Sequence, residues 1–205
     1  MLGCALALTV AAHLFAVFPF DLKISHELQE EKNPVFAFTM KGVSAIGDTL
    51  PGMVMVGAAF AFYFSRHQWL EAVFIIVTMS NFVLTSLLKV LVNRPRPPFF
   101  LLDPADVFQY INQYSFPSGH VLFFVVFFGF IAYLAWLHQT GRVRILVIAS
   151  CGALILLIGL SRVYLGAHWA SDVLGSYIIG GLWLFCIILG YQLASPAIHS
   201  RSEEN

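Results

Sequence analysis

Long apolar runs alternate with short polar interruptions along nearly the whole chain, and six of the runs approach membrane-spanning length. They cover approximately Met1 to Phe20, Ile46 to Phe64, Leu70 to Val92, His120 to Leu137, Ile145 to Leu160 and Ala170 to Leu193. A hydrocarbon core needs about 20 mostly apolar residues as helix, and backbone groups in lipid must be satisfied internally. Each run therefore predicts a transmembrane helix. The expected fold class is all-α, a polytopic membrane helix bundle of six transmembrane helices forming a single domain over residues 1–205, with a loose polar tail from Ser195 to Asn205. The first run lacks a basic n-region and a cleavage site, and so reads as the first membrane helix rather than a cleaved signal.

The interruptions differ in character. Residues 21–45 carry Lys23, His26, Glu27, Glu30, Glu31, Lys32 and Lys41, broken by Asn33-Pro34, while Leu22, Ile24 and Leu28 suggest an amphipathic piece along the interface. The loop from Asn93 to Phe116 is proline-rich at its start and then aromatic. Proline disfavours helix there, and Phe99, Phe100, Phe108, Tyr110 and Tyr114 suit either headgroup-level packing or a lipid entrance. Residues 65–69 and 138–144 read as short turns on the opposite face. Gly175, Gly180, Gly181 and Gly190, with Ser171, give the last helix a small-residue surface for close packing.

Composition supports the membrane reading and narrows the chemistry. The chain is 59% hydrophobic and 11% charged, with Lys and Arg balanced by Asp and Glu at zero net charge. No basic tail or acidic block points to a nucleic-acid partner, so any anion site must come from locally concentrated charge. Cys4, Cys151 and Cys186 sit within apolar segments without paired spacing and read as small buried hydrophobes.

Three clusters at the ends of apolar runs carry candidate chemistry: Lys89 to Pro97, Pro117 to His120, and Arg162 to Asp172. The chain crosses twice between the second and third, so parity brings all three to one face. Lys89 and Arg96 bracket a short segment able to clamp a phosphate, although a snorkelling lysine and headgroup-anchoring arginines are the plainer reading of that cluster alone. Ser118 and Gly119 precede an apolar helix, where a hydroxyl and backbone N–H groups at a positive helix terminus bind anions; an ordinary serine cap is the alternative. His120 is placed to donate a proton near neutral pH. His168 and Asp172 lie four residues apart, so a helix starting near His168 sets the carboxylate beside the imidazole, fixing one nitrogen and leaving the other as nucleophile or base; a structural His–Asp hydrogen bond at a helix end is the plainer reading of this pair alone. Together the clusters supply cations, backbone donors, a second histidine and an oriented nucleophile, which is what phosphoryl transfer requires. Carboxylate clusters for magnesium and paired zinc ligands are missing from the sequence pattern.

Lys89, six residues, Arg96-Pro97; then Pro117-Ser118-Gly119-His120; then Ser161-Arg162, five residues, His168, three residues, Asp172. This pattern resembles the three-part signature of the type 2 phosphatidic acid phosphatase family, and the six-helix layout extends the likeness over nearly the whole chain. Ala170 stands where many relatives have proline. The resemblance implies a phosphatase/haloperoxidase-like core and a metal-independent lipid phosphatase without cofactor. In it His168 forms a phosphohistidine, Asp172 orients His168, and His120 protonates the departing oxygen. Lys89, Arg96 and Arg162, with Ser118 and the Gly119 N–H, hold the phosphate oxygens. Arg94 is expected as a headgroup contact, Ser161 as support, and Tyr164 and Trp169 as packing or interfacial anchors.

The resemblance also implies a multi-pass protein of a bacterial inner membrane, its active face outward and a lipid phosphate as its partner. Undecaprenyl pyrophosphate is the first expectation for that substrate, with phosphatidylglycerophosphate close behind and phosphatidic acid or lipid A phosphates also open. The soluble haloperoxidase branch does not fit the apolar runs. A lipid carrier that merely binds anionic headgroups is the reading from another class, but it has no need of Asp172 beside His168.

Overall fold

The computed structural model describes residues 2–98 and 113–203. Nine helices account for the regular structure among them: α1 (Leu2–Leu14), α2 (Pro19–Gln29), α3 (Pro34–Ile46), α4 (Thr49–Ser65), α5 (Trp69–Val77), α6 (Ser80–Val92), α7 (Gly119–His138), α8 (Gly141–Tyr164) and α9 (Ala170–Glu203). Four stretches are long and apolar enough to cross a membrane: Trp69–Val92, Gly119–His138, Gly141–Tyr164 and Ala170–Ser195. Two bent pairs raise the number to six if each is one span. The all-α membrane bundle is as the apolar pattern predicted.

The first expected helix is corrected. It stops at Leu14, and the chain turns through 89° into α2. Pro19 opens that helix at a position where its missing N–H costs nothing, and the Asp21 carboxylate accepts from the Phe18 N–H at 3.1 Å. A similar 63° bend separates α3 from α4 at Gly47 and Asp48. Asn33 caps α3 through Val35 N and Phe36 N, again with proline at the first turn. The amphipathic piece expected over residues 21–45 is thus two helices. Its α2 half turns Asp21 and Ser25 inward and Lys23 and Glu27 outward. The tail expected to be loose from Ser195 continues α9 through Glu203.

α7 is the hub. It is apolar on every face, as a central helix must be, and packs against both α8 and α9. Phe123, Phe124, Phe127 and Phe130 fill the core around it, with Phe123 and Phe127 stacked at 5.3 Å. The small residues of α9 do what their spacing suggested at two positions: a Cβ on Gly175 would stand 2.4 Å from the Phe116 ring, and one on Gly180 would stand 3.0 Å from Val125. Large apolar side chains such as Ile145, Leu146 and Leu156 of α8 face outward, the arrangement lipid solvates. Cys151 is buried, but Cys186 lies on the exposed face of α9, which corrects its reading as a buried hydrophobe. The expected lipid-entrance aromatics Phe99, Phe100, Phe108 and Tyr110 fall outside the described residues.

Candidate active site

Helix ends and the turns joining them build the site. Asn93 closes α6 in a left-handed conformation (φ 54°), just after the buried Lys89 in its last turn. The chain leaving α6 pairs with the chain entering α7: Pro95 bridges Tyr114, and Ser115 N donates to Arg94 O at 2.8 Å. Ser115 Oγ and Trp169 Nε1 both donate to Pro95 O, at 3.0 and 3.2 Å. This clasp ties the arginine-bearing segment to the turn between α8 and α9. Trp169 is accordingly a buried brace. Tyr164 packs edge-on against Phe36.

His168 hangs from that turn and is 2% exposed. Gly166, at φ 65°, allows the reversal that lets Ala167 N and His168 N both reach Arg162 O. His168 Nδ1 donates to the Ser115 carbonyl at 2.7 Å. That bond fixes the tautomer and leaves Nε2 as the lone-pair nitrogen, 3.4 Å from Arg96 NH1. Burial comes first, followed by the charges of Arg96, Arg162, Lys89 and His120, in holding the imidazole well below its ordinary titration range.

Asp172 is near but does not make the expected bond. Its Oδ2 lies 3.8 Å from His168 Nδ1, too far for a hydrogen bond, and accepts instead from Trp169 N at 2.9 Å. Its other oxygen takes a short contact from Arg94. The orienting acceptor is therefore a main-chain carbonyl, with the carboxylate one step behind it. Arg94 is corrected too. Expected as a headgroup contact, it is 1% exposed and lies between Asp21 and Asp172, with further bonds to Ser171 Oγ and Ala16 O. It ties the turn between α1 and α2, and α2 itself, to the start of α9.

The remaining expected residues converge on the same end of the bundle. Arg96 donates to Ala167 O at 2.8 Å. Arg162 NH1 reaches Ser44 Oγ of α3, and its Nε has no partner. Ser161 Oγ donates to Met40 O, a supporting contact. Ser118 divides its functions. Its N–H, expected to face an anion, donates to Ser176 Oγ at 2.8 Å, whereas its buried hydroxyl neither caps α7 nor finds any other partner. Gly119 opens α7 beside Thr85. His120 Nε2 meets Asp48 Oδ1 at 3.2 Å. Among the described residues, no group of three or more His, Cys, Asp or Glu converges as a metal ligand set.

Sequence reasoning missed Ser115, Ser44, Asp48, Asp21, Ser171 and Ser176. Asp21 adjoins an apolar run, the same signal that marked the three clusters, whereas Asp48 lies inside the second run, near its start. Ser115 contributes a backbone oxygen, which leaves no mark in side-chain spacing.

The model of the PAP2 superfamily matches residues 69–195, spanning every residue of the three clusters. The chain belongs to the PAP2 superfamily. It is 32% identical over 192 residues to phosphatidylglycerophosphatase B of Bacillus subtilis, covering 91% of this chain and 90% of that protein. Undecaprenyl-diphosphatase of Sulfolobus acidocaldarius is 26% identical over 144 residues, covering 65% of this chain and 60% of that protein. The crystal structure of a transmembrane PAP2-type phosphatidylglycerolphosphate phosphatase from Bacillus subtilis superposes with a TM-score of 0.74 at 30% identity, covering 93% of this chain and 92% of that one. This PAP2 protein is a membrane lipid phosphatase, which sets the carrier reading aside.

Proposed function

We propose that this phosphatase hydrolyses phosphatidylglycerophosphate through a phosphohistidine on His168. The observation that carries the chemistry is the fixed imidazole: Nδ1 is committed to Ser115 O, so Nε2 is the free nucleophile and it sits beside Arg96. Lys89, Arg96 and Arg162 hold the phosphate oxygens with the Ser118 hydroxyl and Gly119 N–H, and fixed positive charge stabilises the transition state in place of a metal. Nε2 forms a bond to phosphorus, the ester P–O bond breaks, and its electron pair leaves on the lipid oxygen, which takes a proton from His120. Water then attacks the phosphohistidine, His120 accepts the water's proton, and the P–N bond breaks to restore His168 and release phosphate. Asp172 acts at one remove, keeping a negative charge near Nδ1 and holding Arg94.

The substrate is chosen over undecaprenyl pyrophosphate because the relative named for phosphatidylglycerophosphate matches nearly the full length of both chains, and the diphosphatase does not. The active face is placed outside the cytoplasm of a bacterial cell membrane. That orientation rests on the family resemblance, because Arg66, Arg142 and Arg144 at the opposite end of the bundle are outnumbered by the cations of the active end.

Purified protein in excess chelator, offered phosphatidylglycerophosphate, phosphatidic acid and undecaprenyl pyrophosphate, tests the reading. Phosphatidylglycerophosphate should be turned over with the highest kcat/KM, and His168→Ala should abolish turnover without unfolding the protein. Normal turnover by that variant, or loss of wild-type activity restored by magnesium, overturns the mechanism; preference for the diphosphate overturns the substrate.

A further inference from the structure

The turn between α3 and α4 contributes a carboxylate for which the mechanism above has no use. Asp48 occupies the N-cap position of α4, where aspartate ordinarily accepts from the helix's first free N–H groups, yet its side chain makes no such bond. It lies against the proton donor instead, with Oδ1 3.2 Å from His120 Nε2. Gly47 permits the approach: a Cβ there would stand 2.5 Å from His120 Cδ2. The carboxylate is 61% exposed while the imidazole is 23% exposed, so Asp48 lies on the open side of His120. The preceding turn of α3 also supplies Ser44 to Arg162. One short segment thus touches both a phosphate-binding cation and the acid.

We propose that Asp48 is a positioning residue for His120 and, through it, tilts the enzyme toward lipid phosphate monoesters and away from lipid diphosphates. The inference rests on the phosphatase reading above, with His120 as proton donor. With Nε2–H committed to Asp48, the proton that reaches the departing oxygen comes from Nδ1. As the P–O bond breaks, its electron pair goes to that oxygen, the Nδ1 proton follows, and the neutral imidazole keeps its Nε2–H on Asp48.

Need for this proton depends on what leaves. A monoester of a lipid alcohol expels an alkoxide, a strong base that cannot depart without it. A lipid diphosphate expels a lipid phosphate, a weak base that needs little assistance. A departing phosphate also carries its own negative charge past the exposed carboxylate, where like charges repel. Both effects favour the monoester.

The test compares wild type with Asp48→Asn in the same micelles. The probes are phosphatidylglycerophosphate, long-chain alkyl and aryl phosphates of falling leaving-group basicity, and a polyprenyl diphosphate. Asp48→Asn should lower kcat about tenfold to hundredfold on the alkyl esters. The effect should shrink to less than about threefold on the activated aryl esters and the diphosphate, with little change in KM. Equal slowing on every substrate, the outcome of a merely structural role, overturns the proposal, and so does no slowing at all. Asp48→Glu, which keeps the carboxylate, should retain the wild-type dependence on leaving group. In a His120→Gln background, adding Asp48→Asn should cost nothing more; an added loss there overturns the coupling. If wild type hydrolyses no lipid monoester, the functional reading falls; if it does and the variants fail to discriminate, only the role of Asp48 falls.

Discussion

Two arginines two residues apart should separate stability from turnover. Arg94 donates to Ala16 O at 3.0 Å, Ser171 Oγ at 2.7 Å and Asp21 Oδ2 at 2.8 Å, and it closes a short contact to Asp172 Oδ1. The side chains of Arg94, Asp21 and Asp172 are fully buried. Asp21 is otherwise held by Ser171 N, Ser171 Oγ and Phe18 N, so removing the guanidinium leaves two buried carboxylates supported only by neutral donors. Breaking one buried ion pair by deleting a partner costs about 3–5 kcal/mol. Arg94→Met exposes that cost at both ends and should destabilise by at least that much. At roughly 2–4 °C per kcal/mol for a chain of this size, the expected fall in Tm is roughly 6–20 °C. Arg94→Lys keeps the charge but not the fork that spans both carboxylates, and should fall between wild type and Arg94→Met. Arg96→Met removes a partly exposed cation, so its stability should stay within about 1 kcal/mol of wild type while turnover collapses. Thermal unfolding in detergent, followed by tryptophan fluorescence alongside phosphate release, measures both. A wild-type Tm for Arg94→Met, or a larger loss of Tm for Arg96→Met, refutes the assignment.

Burial and the surrounding cations hold His168 well below its usual titration near 6.5, so it should remain neutral, with Nδ1 carrying the proton, as the solution is acidified past that value. Selective 15N labelling and NMR in micelles checks this, and a half-protonated ring at pH 6.5 would contradict it. Because the folded value lies below the unfolded one, the unfolded chain takes up the proton first on acidification. This residue's contribution to stability is therefore fully present above about pH 6.5 and declines as the pH falls below it. Gly175→Ala should destabilise by about 1–3 kcal/mol, since its methyl would meet the buried Phe116 ring. Gly152→Ala, with open space around the same position in α8, should be neutral or stabilising by up to about 1 kcal/mol. Equal Tm values for the two glycine variants would remove close packing as the reason for Gly175.

The bundle was legible wherever one property, apolarity, decided the structure. Spans built from α5 with α6, α7, α8 and α9 lie where the runs placed them because lipid imposes a length and forbids interruption. Where the chain breaks within an apolar run, hydropathy gives no warning. The first run continues past Leu14 without a change of polarity, and the 89° bend depends on Pro19 and on where the Asp21 carboxylate finds its partners. A window average counts Asp21 merely as the end of the run, although it is the acceptor at which α2, Arg94 and the start of α9 meet.

The same limit explains which parts of the site could be read. Spacing identified Lys89, Arg96, Ser118, His120, Arg162, His168 and Asp172 as neighbours, and the structure gathers them at one end of the bundle. Their pairings depend on atoms that spacing does not see. His168 and Asp172 at four residues' separation promised a direct bond, but Arg94 draws one carboxylate oxygen away and Trp169 N takes the other, so the Ser115 carbonyl becomes the imidazole's acceptor. A fully ionised carboxylate in direct contact with Nδ1 would also compete with phosphate for the site's positive charge. A neutral carbonyl fixes the tautomer without that competition, which in the proposed mechanism leaves the charges of Arg96 and Arg162 for the substrate. Arg94 spends its charge on Asp21 and Asp172 inside the protein.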